Sequence, residues 1–453
     1  MEISIIGLGS MGFNLALNLV SKGYKILAYD SNKNVINKIK SKPNANIKLF
    51  TSIKGLCSNS SKQKLILISL PHDVIDKCID ELILYLNKDD IIADLGNSFF
   101  LDTRKRFQKV HENHFHFLGI GVSGGPNGAK EGPSIMVGGS KTAWKKIKNI
   151  FIDISAKKDN VPACGFFGNP GNGHLIKMVH NGIEYAFMQT LSEVYMILAN
   201  LFNLKNTEQN IVFSKLSKTN IGCYLLDTTS KVISKKKKKS FYLDIVNNEI
   251  DYNGTGNWTI NTALSYQVSI PSIYAAVSTR LLSGDFQIKA KGKKSSAIAL
   301  KLNENDIHDI VLFSFSCAMF QGLSILLKAN QKEKLKIDLS EVFKAWSAGC
   351  ILQGKFLNLF RSEFLKTRKL DYNFLFNFIS KKTKGNLLKT RKLISFSNEN
   401  KTPTPVISSS LNYYDSVFSV HKIGEITQLQ RNYFGKHQLK TNNGKKMISP
   451  KWT

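Results

Sequence analysis

Short apolar runs alternate with helical patterns through the first ~165 residues. Candidate strands fall at 3–7, 25–29, 65–70, 91–94 and 116–121, with helical stretches between them, as at 12–22 and 35–40. Strand following helix in this way predicts a parallel sheet with helices on both faces. After Gly171 the period changes. Stretches at 183–203, 307–330 and 340–364 repeat their apolar positions at helical spacing, and Gly or Pro rarely interrupts them. They predict a large all-helical region. The last ~30 residues are polar and basic, too short and polar for a core of their own, and are expected to lie across another surface.

The first predicted strand runs directly into Gly7-Leu8-Gly9-Ser10-Met11-Gly12, which opens a predicted helix. Alone, a GxGxxG is weak. Between a strand and a helix it fits a dinucleotide: the first glycine permits the turn and the second lets a pyrophosphate approach. The third packs helix on strand, and the helix N-terminus faces the anion. The fold class is therefore an α/β Rossmann-type nucleotide-binding domain at 1–169, then an all-α domain at 170–424 and a C-terminal tail at 425–453. Asp30 ends the second predicted strand, where an acid suits the ribose 2′-hydroxyl of NAD and repels the 2′-phosphate of NADP. Ser31, Asn32 and Lys33 follow, and the Lys33 charge offsets part of that repulsion, so cofactor choice stays open at this point.

At the start of the helical region, Lys177, His180, Asn181 and Glu184 stand at i, i+3, i+4 and i+7. On a helix they share an arc of roughly 100°. A base, an imidazole, an amide and an acid on one face are more ionisable chemistry than a core stripe carries, and they predict an active-site helix over a solvated one. Gly182 beside them lacks a side chain and admits close approach to the helix backbone.

The bulk numbers alter this picture little. At 453 residues, two or three domains are expected. A net charge of +30 attracts anions. The basic residues are mostly Lys and widely spread, which reads as solvated surface, with nucleic acid the disfavoured partner. The run at 235–239 is the one true block and is read as an exposed loop. Cys57, Cys78, Cys164, Cys223, Cys317 and Cys350 show neither CxxC nor metal spacing, as expected of reduced thiols in a cytoplasmic protein. The start is read as a buried strand, and no apolar run as approaching the roughly 18 residues of a membrane span.

Four further segments carry a family resemblance. They are Leu95-Gly96-Asn97-Ser98; Gly121-Val122-Ser123-Gly124-Gly125 with Gly132-Pro133-Ser134; the helix KMVHNGIEY; and Gly254-Thr255-Gly256-Asn257-Trp258-Thr259. With GLGSMG and the tail QRNYFG, they make the chain resemble decarboxylating 6-phosphogluconate dehydrogenases over nearly its whole length. The resemblance implies oxidation and decarboxylation of 6-phosphogluconate to ribulose 5-phosphate and carbon dioxide, with NADP and without metal. It implies that Lys177 is the general base on the 3-hydroxyl and Glu184 the acid that protonates C1 of the enediol. Asn97, Ser123, Gly124, Gly125, His180 and Asn181 match positions that hold the sugar-acid end, and Tyr185, Thr255, Arg280 and Arg431 those at the phosphate. Gly7, Gly9, Ser10, Met11, Gly12, Asp30, Ser31, Asn32, Lys33 and Asn97 match the cofactor positions. In the family the tail arginine and a histidine, here Arg431 and His437, come from the partner subunit, which implies a homodimer with shared sites.

The chain departs from the family at Asn253 and Asn257, where lysines are usual. It does so again at Ile68-Ser69-Leu70-Pro71 in place of VKAG, at Asp30-Ser31-Asn32 in place of Asn-Arg-Thr, and at Ser347 and Gln353 in place of arginines. Two other readings remain: a dehydrogenase for an unphosphorylated sugar acid, motivated by Asn253, and a non-catalytic basic binding protein, motivated by the charge.

Overall fold

The computed structural model describes residues 1–453 except 42, 59–62, 252–253, 285–302, 386, 421–423, 442–443, 445–446 and 453. Strands β1 (Glu2–Ile6), β2 (Ile26–Tyr29), β3 (Ile47–Phe50), β4 (Lys64–Ile68), β5 (Ile91–Asp94), β6 (His116–Ser123), β7 (Ser134–Gly139) and β8 (Cys164–Phe166) form one sheet. Its spatial order is β8-β7-β6-β5-β4-β1-β2-β3. Between the strands run α1 (Ser10–Ser21), α2 (Lys33–Lys40), α3 (Ile53–Cys57), α4 (Ile75–Ile83), α5 (Phe100–Glu112), α6 (Gly125–Glu131) and α7 (Lys141–Ile154). β4, β5 and nearly all of β6 are buried along their length, as central strands covered on both faces require.

The sheet is not purely parallel, as the alternation predicted. β7 runs antiparallel to β6, pairing Ser134 with Ser123 and Gly139 with Leu118. The intervening α6 has only seven residues, which is too short to carry the chain back for a parallel return.

Helix α8 (Asn172–Asn200) begins after Gly171, whose φ is +83°. Its first turns lie on β6 and β7 because those strands are glycine-rich where the helix crosses. A Cβ on Gly121 would stand 2.5 Å from Lys177 Cβ, and one on Gly138 2.8 Å from the Gly173 nitrogen. Missing side chains in the sheet thus set the height of the Lys177 turn above β6. Farther along, α8 enters a helical core. Around it are α9 (Asn206–Lys218), α10 (Tyr224–Ser234), α11 (Thr255–Tyr266), α12 (Pro271–Leu282), α13 (Glu304–Glu333), α14 (Leu339–Ala345), α15 (Lys355–Thr367), α16 (Tyr372–Lys382), α17 (Leu388–Glu399) and α18 (Pro405–Phe418). Phe187 of α8 stacks on Phe315 of α13 at 3.8 Å between ring centroids, with the Phe356 edge against both.

The helical stretch expected at 340–364 is two helices, α14 and α15. Between them Gly349 has φ +67° and Gly354 φ +147°, conformations that reverse the chain and end a helix. A second expectation also changes. α13 is long and apolar enough to cross a membrane, although no run was read as approaching that length; 89% of its most apolar window is buried within the protein, so it serves as the core helix. The lysine run is exposed as expected, forming a small hairpin with Lys236 over the Phe241 ring.

The tail has more local structure than its composition suggested. α19 (Gly424–Gly435) is followed by a two-stranded hairpin pairing Leu439 with Ile448. Trp452 donates its indole N–H to Asn432 Oδ1 at 2.7 Å and its ring meets Tyr433 edge-on. The outer face of α19 exposes Tyr433 at 67% and Phe434 at 75%.

Candidate active site

A cavity of about 540 Å³ opens between the sheet and α8. One end is the glycine turn. Gly7 has φ +92°, and a Cβ there would stand 2.3 Å from the Ser69 carbonyl oxygen. A Cβ on Gly12 would stand 1.9 Å from the Gly7 carbonyl oxygen, while one on Gly9 would meet nothing within 4 Å. The turn is thus locked by the first and third glycines and open at the second. The α1 N-terminus has no side-chain cap, and Ser10, Met11 and Gly12 line the cavity. Uncapped N–H groups at the positive end of a helix dipole suit a pyrophosphate.

Asp30 is turned toward this loop. Its two oxygens accept from the Leu8 N–H at 2.6 Å and the Asn32 N–H at 2.8 Å. Asn32 in turn caps α2 through the Asn34 N–H, so Lys33 opens that helix. The carboxylate is therefore a strut between the ends of β1 and β2, a role the strand-end position did not reveal.

At the other end of the cavity stand Lys177, Asn181, Glu184 and Tyr185, with Ser123, Gly124, Gly125 and Asn97 facing them. Lys177 Nζ donates to Asn181 Oδ1 at 2.6 Å and to Ser123 Oγ at 3.2 Å. His180 lies behind the wall, fully buried. Its Nε2 is 3.5 Å from Ser123 Oγ, its Nδ1 is 3.6 Å from Glu184 Oε2, and the Trp346 ring meets it edge-on at 5.5 Å. The four residues placed on one arc by spacing are therefore one polar cluster, linked by hydrogen bonds and by the close approach of His180 to Glu184.

Burial dominates the electrostatics. It lowers the Lys177 amine below the ordinary lysine range, partly opposed by the Glu184 charge. It raises the Glu184 carboxyl, partly opposed by Lys177 and Arg280. Burial and the Lys177 charge push His180 well below the usual imidazole value, so it is neutral. A neutral amine can accept a proton and a protonated carboxyl can donate one, which is an acid–base pair in one cavity.

Tyr185 leads out of this end. Its hydroxyl is 2.9 Å from Thr255 Oγ1, and Arg280 stacks on its ring at 3.8 Å. Arg431 and His437 are not brought to the cavity; both are exposed on the tail. Asn253 lies outside the described residues. Gly182 does admit a close neighbour, and it is protein: a Cβ there would stand 2.7 Å from Thr259 Cγ2 of α11. Sequence reasoning missed His72 and Ile351 among the lining residues. His72 follows a loop read only as a departure, and Ile351 sits in the turn hidden inside the supposed single helix.

A dinucleotide turn faces an acid–base pair across one cavity, and a Rossmann-type sheet carries the first while a helical region carries the second. That architecture is the class of two-domain nicotinamide-dependent dehydrogenases. The NAD binding domain of 6-phosphogluconate dehydrogenase matches residues 2–165, and the 6-phosphogluconate dehydrogenase C-terminal domain matches 173–452. The chain belongs to the 6-phosphogluconate dehydrogenase family. It is 31% identical to the NADP(+)-dependent, decarboxylating 6-phosphogluconate dehydrogenase of Bacillus subtilis, covering 100% of this chain and 99% of that one. It is 30% identical to the decarboxylating enzyme of Escherichia coli, with the same coverage. Plasmodium falciparum 6-phosphogluconate dehydrogenase, solved apo, with NADP+ and with 6-phosphogluconate, superimposes with a TM-score of 0.92 at 29% identity, covering 100% of both chains.

Proposed function

We propose that this chain oxidises and decarboxylates 6-phosphogluconate to ribulose 5-phosphate and carbon dioxide with reduction of NADP. The observation that carries the reading is the Lys177–Asn181–Ser123 cluster, with Glu184 beside it, in the same cavity as the uncapped α1 N-terminus. Residues 1–169 hold the cofactor, with Gly7, Gly9, Ser10, Met11 and Gly12 at its pyrophosphate and Asp30 to Lys33 at the adenine ribose. When bound, the nicotinamide supplies a hydride acceptor. Lys177, neutral, takes the proton of the substrate 3-hydroxyl as the hydride departs from C3. The 3-keto acid then loses its C1 carboxylate as carbon dioxide, and the ammonium of Lys177 stabilises the developing enolate oxygen. Glu184 protonates the carbon of the resulting enediolate, which leaves the ketone; the proton that Lys177 took from the 3-hydroxyl then passes to Glu184 and resets the pair.

Asn181 and Ser123 hold the Lys177 amine in place through the bonds they accept. His180, kept neutral by burial, braces Ser123. Tyr185, Thr255 and Arg280 receive the phosphate. Guanidinium suits that dianion, and stacking on Tyr185 fixes where the Arg280 fork points.

The active species is a homodimer, with Arg431 and His437 of the partner subunit closing the phosphate end. The exposed Tyr433 and Phe434 of α19, and the fact that Arg431 and His437 are exposed and do not line their own cavity, support this part of the reading. Six free, buried cysteines suit a cytoplasmic protein.

A spectrophotometric assay tests the proposal: NADP reduction with 6-phosphogluconate, in parallel with NAD and with gluconate. Turnover is expected with the phosphorylated substrate, and its loss in Lys177→Ala. Normal turnover in that variant sinks the mechanism, and equal efficiency on gluconate sinks the phosphate site.

A further inference from the structure

Two loops form the cavity wall between the glycine turn and Lys177. One is Ser69 to His72, after β4; the other is Leu95 to Ser98, after β5. They stack on each other and on the turn. A Cβ on Gly96 would stand 2.7 Å from the Leu70 carbonyl oxygen, and the Cβ on Gly7 already noted would strike Ser69. Neither loop has regular structure of its own at these residues beyond the short 3-10 turn that starts at His72.

Behind both loops lies Arg106 of α5, 3% exposed and absent from the cavity lining. All five of its N–H donors are used. Nε donates to Asp76 Oδ1 at 2.7 Å and Nη2 to Asp76 Oδ2 at 3.0 Å. Nη2 also donates to the His72 carbonyl at 3.1 Å. Nη1 donates to Ser98 Oγ at 2.9 Å and Asp94 Oδ2 at 3.2 Å. Asp94 relays the hold, accepting from the Gly96 N–H at 2.9 Å and from Ser98 Oγ at 2.7 Å. One fork therefore grips the far end of the first loop and both ends of the second. The tied segments also reach the helical region: the rings of His72 and Phe99 both meet Trp258 of α11, at 5.2 and 5.6 Å.

We propose that Arg106 is a positioning residue for hydride transfer: it fixes both loops at the heights that place the reactive end of the cofactor against the substrate carbon. This rests on the dehydrogenase reading above. The pyrophosphate end is held independently by the α1 N-terminus. Loosening the loops thus misaligns the reacting end while leaving most of the binding intact. Misplacement on the ångström scale costs on the order of a hundredfold in rate. Lysine cannot substitute, because its donors radiate from one atom and cannot span Asp76, His72 and Ser98 together.

Three measurements on Arg106→Lys, repeated on Ser98→Ala and Asp76→Asn, test this. First, kcat is expected to fall at least about tenfold while KM for 6-phosphogluconate and the Kd of NADPH, titrated by fluorescence without substrate, stay within about threefold. Second, the deuterium isotope effect with C3-deuterated substrate is expected to rise, because hydride transfer becomes limiting. Third, amide exchange at 69–72 and 95–98 is expected to quicken together in Arg106→Lys without ligand. Unchanged kcat, or a parallel loss of kcat, KM, Kd and thermal stability, overturns the proposal. Loops that exchange as in the parent protein also overturn it. Inactivity of the parent protein itself counts against the dehydrogenase reading, and the exchange result then still decides whether Arg106 ties the loops.

Discussion

Lys177 and Glu184 shift in opposite directions for one reason: burial disfavours the charged form of each. Their productive forms are the neutral amine and the neutral acid, so the shifts bring those forms together nearer neutral pH. The expected profile of kcat is bell-shaped, because turnover needs Lys177 unprotonated and Glu184 protonated at once, with both limbs belonging to the pair. Glu184→Gln is expected to abolish the falling limb. It also removes the charge that partly supports the Lys177 ammonium, so the limb that remains reports the amine alone. A bell that survives in Glu184→Gln contradicts the assignment. Most of this cluster was legible in the sequence, because helical spacing alone puts Lys177, His180, Asn181 and Glu184 on one face. The strut role of Asp30 and the grip of Arg106 were not. Each depends on which backbone N–H or distant loop a side chain reaches, and spacing along one element carries no such information.

At the scale of elements, α8 is held by α11 on one side and α18 on the other. Gly182→Ala separates two opposing effects. Alanine in a helix interior gains about 1 kcal/mol over glycine, but here its Cβ meets Thr259, whose hydroxyl is tied to the Met178 and Thr255 carbonyls. Overpacking of that kind costs typically 1–3 kcal/mol, so a net loss of stability is expected in urea titration, with KM for 6-phosphogluconate raised as Thr255 moves. A gain in stability is the contrary result. On the other side, Glu193 of α8 is fully buried and accepts the Val406 and Ile407 N–H groups at 2.8 and 3.0 Å, capping α18. Burial raises its carboxyl from 4.5 to about 7, against the pull of those bonds. A folded-state value above the unfolded one gives stability that is full below pH 4.5 and lost as pH rises through about 7. The amount is roughly 3 kcal/mol. Glu193→Gln is expected to remove this slope between pH 5 and 7.5, whatever it does to stability overall; parallel pH curves for the two proteins count against it. Periodicity revealed the long helices but ran α14 and α15 together. Their apolar faces keep phase across a turn that only the backbone angles of Gly349 and Gly354 betray. β3 and β8 were missed because they are short, at four and three residues, and β7 because Ser134–Gly139 ends in glycines that read as a turn.

For the whole molecule, the order of regions was legible because short apolar runs alternating with helical stretches give way to long helical periodicity near Gly171. Subunit arrangement was not, since no periodicity encodes which surface a tail covers. The tail carries Arg431 and His437 on an exposed unit whose Tyr433 and Phe434 are left largely uncovered by the described residues. If that unit completes the phosphate end of another subunit, each active site draws Lys177 from one chain and Arg431 from the other. Arg431→Ala alone then removes a charge-assisted contact worth about 1.5–3 kcal/mol, expected as a roughly tenfold to hundredfold rise in KM. Lys177→Ala alone is inactive. Unfolded together and refolded as a mixture, the two variants give heterodimers in which one site has both defects and the other has neither. Random pairing therefore restores about a quarter of all sites to full affinity for 6-phosphogluconate. With the tail acting within its own chain, every site in the mixture keeps one defect and the high-affinity activity does not return. Steady-state kinetics at substrate concentrations below the Arg431→Ala KM separate the two cases, because only reconstituted sites turn over there.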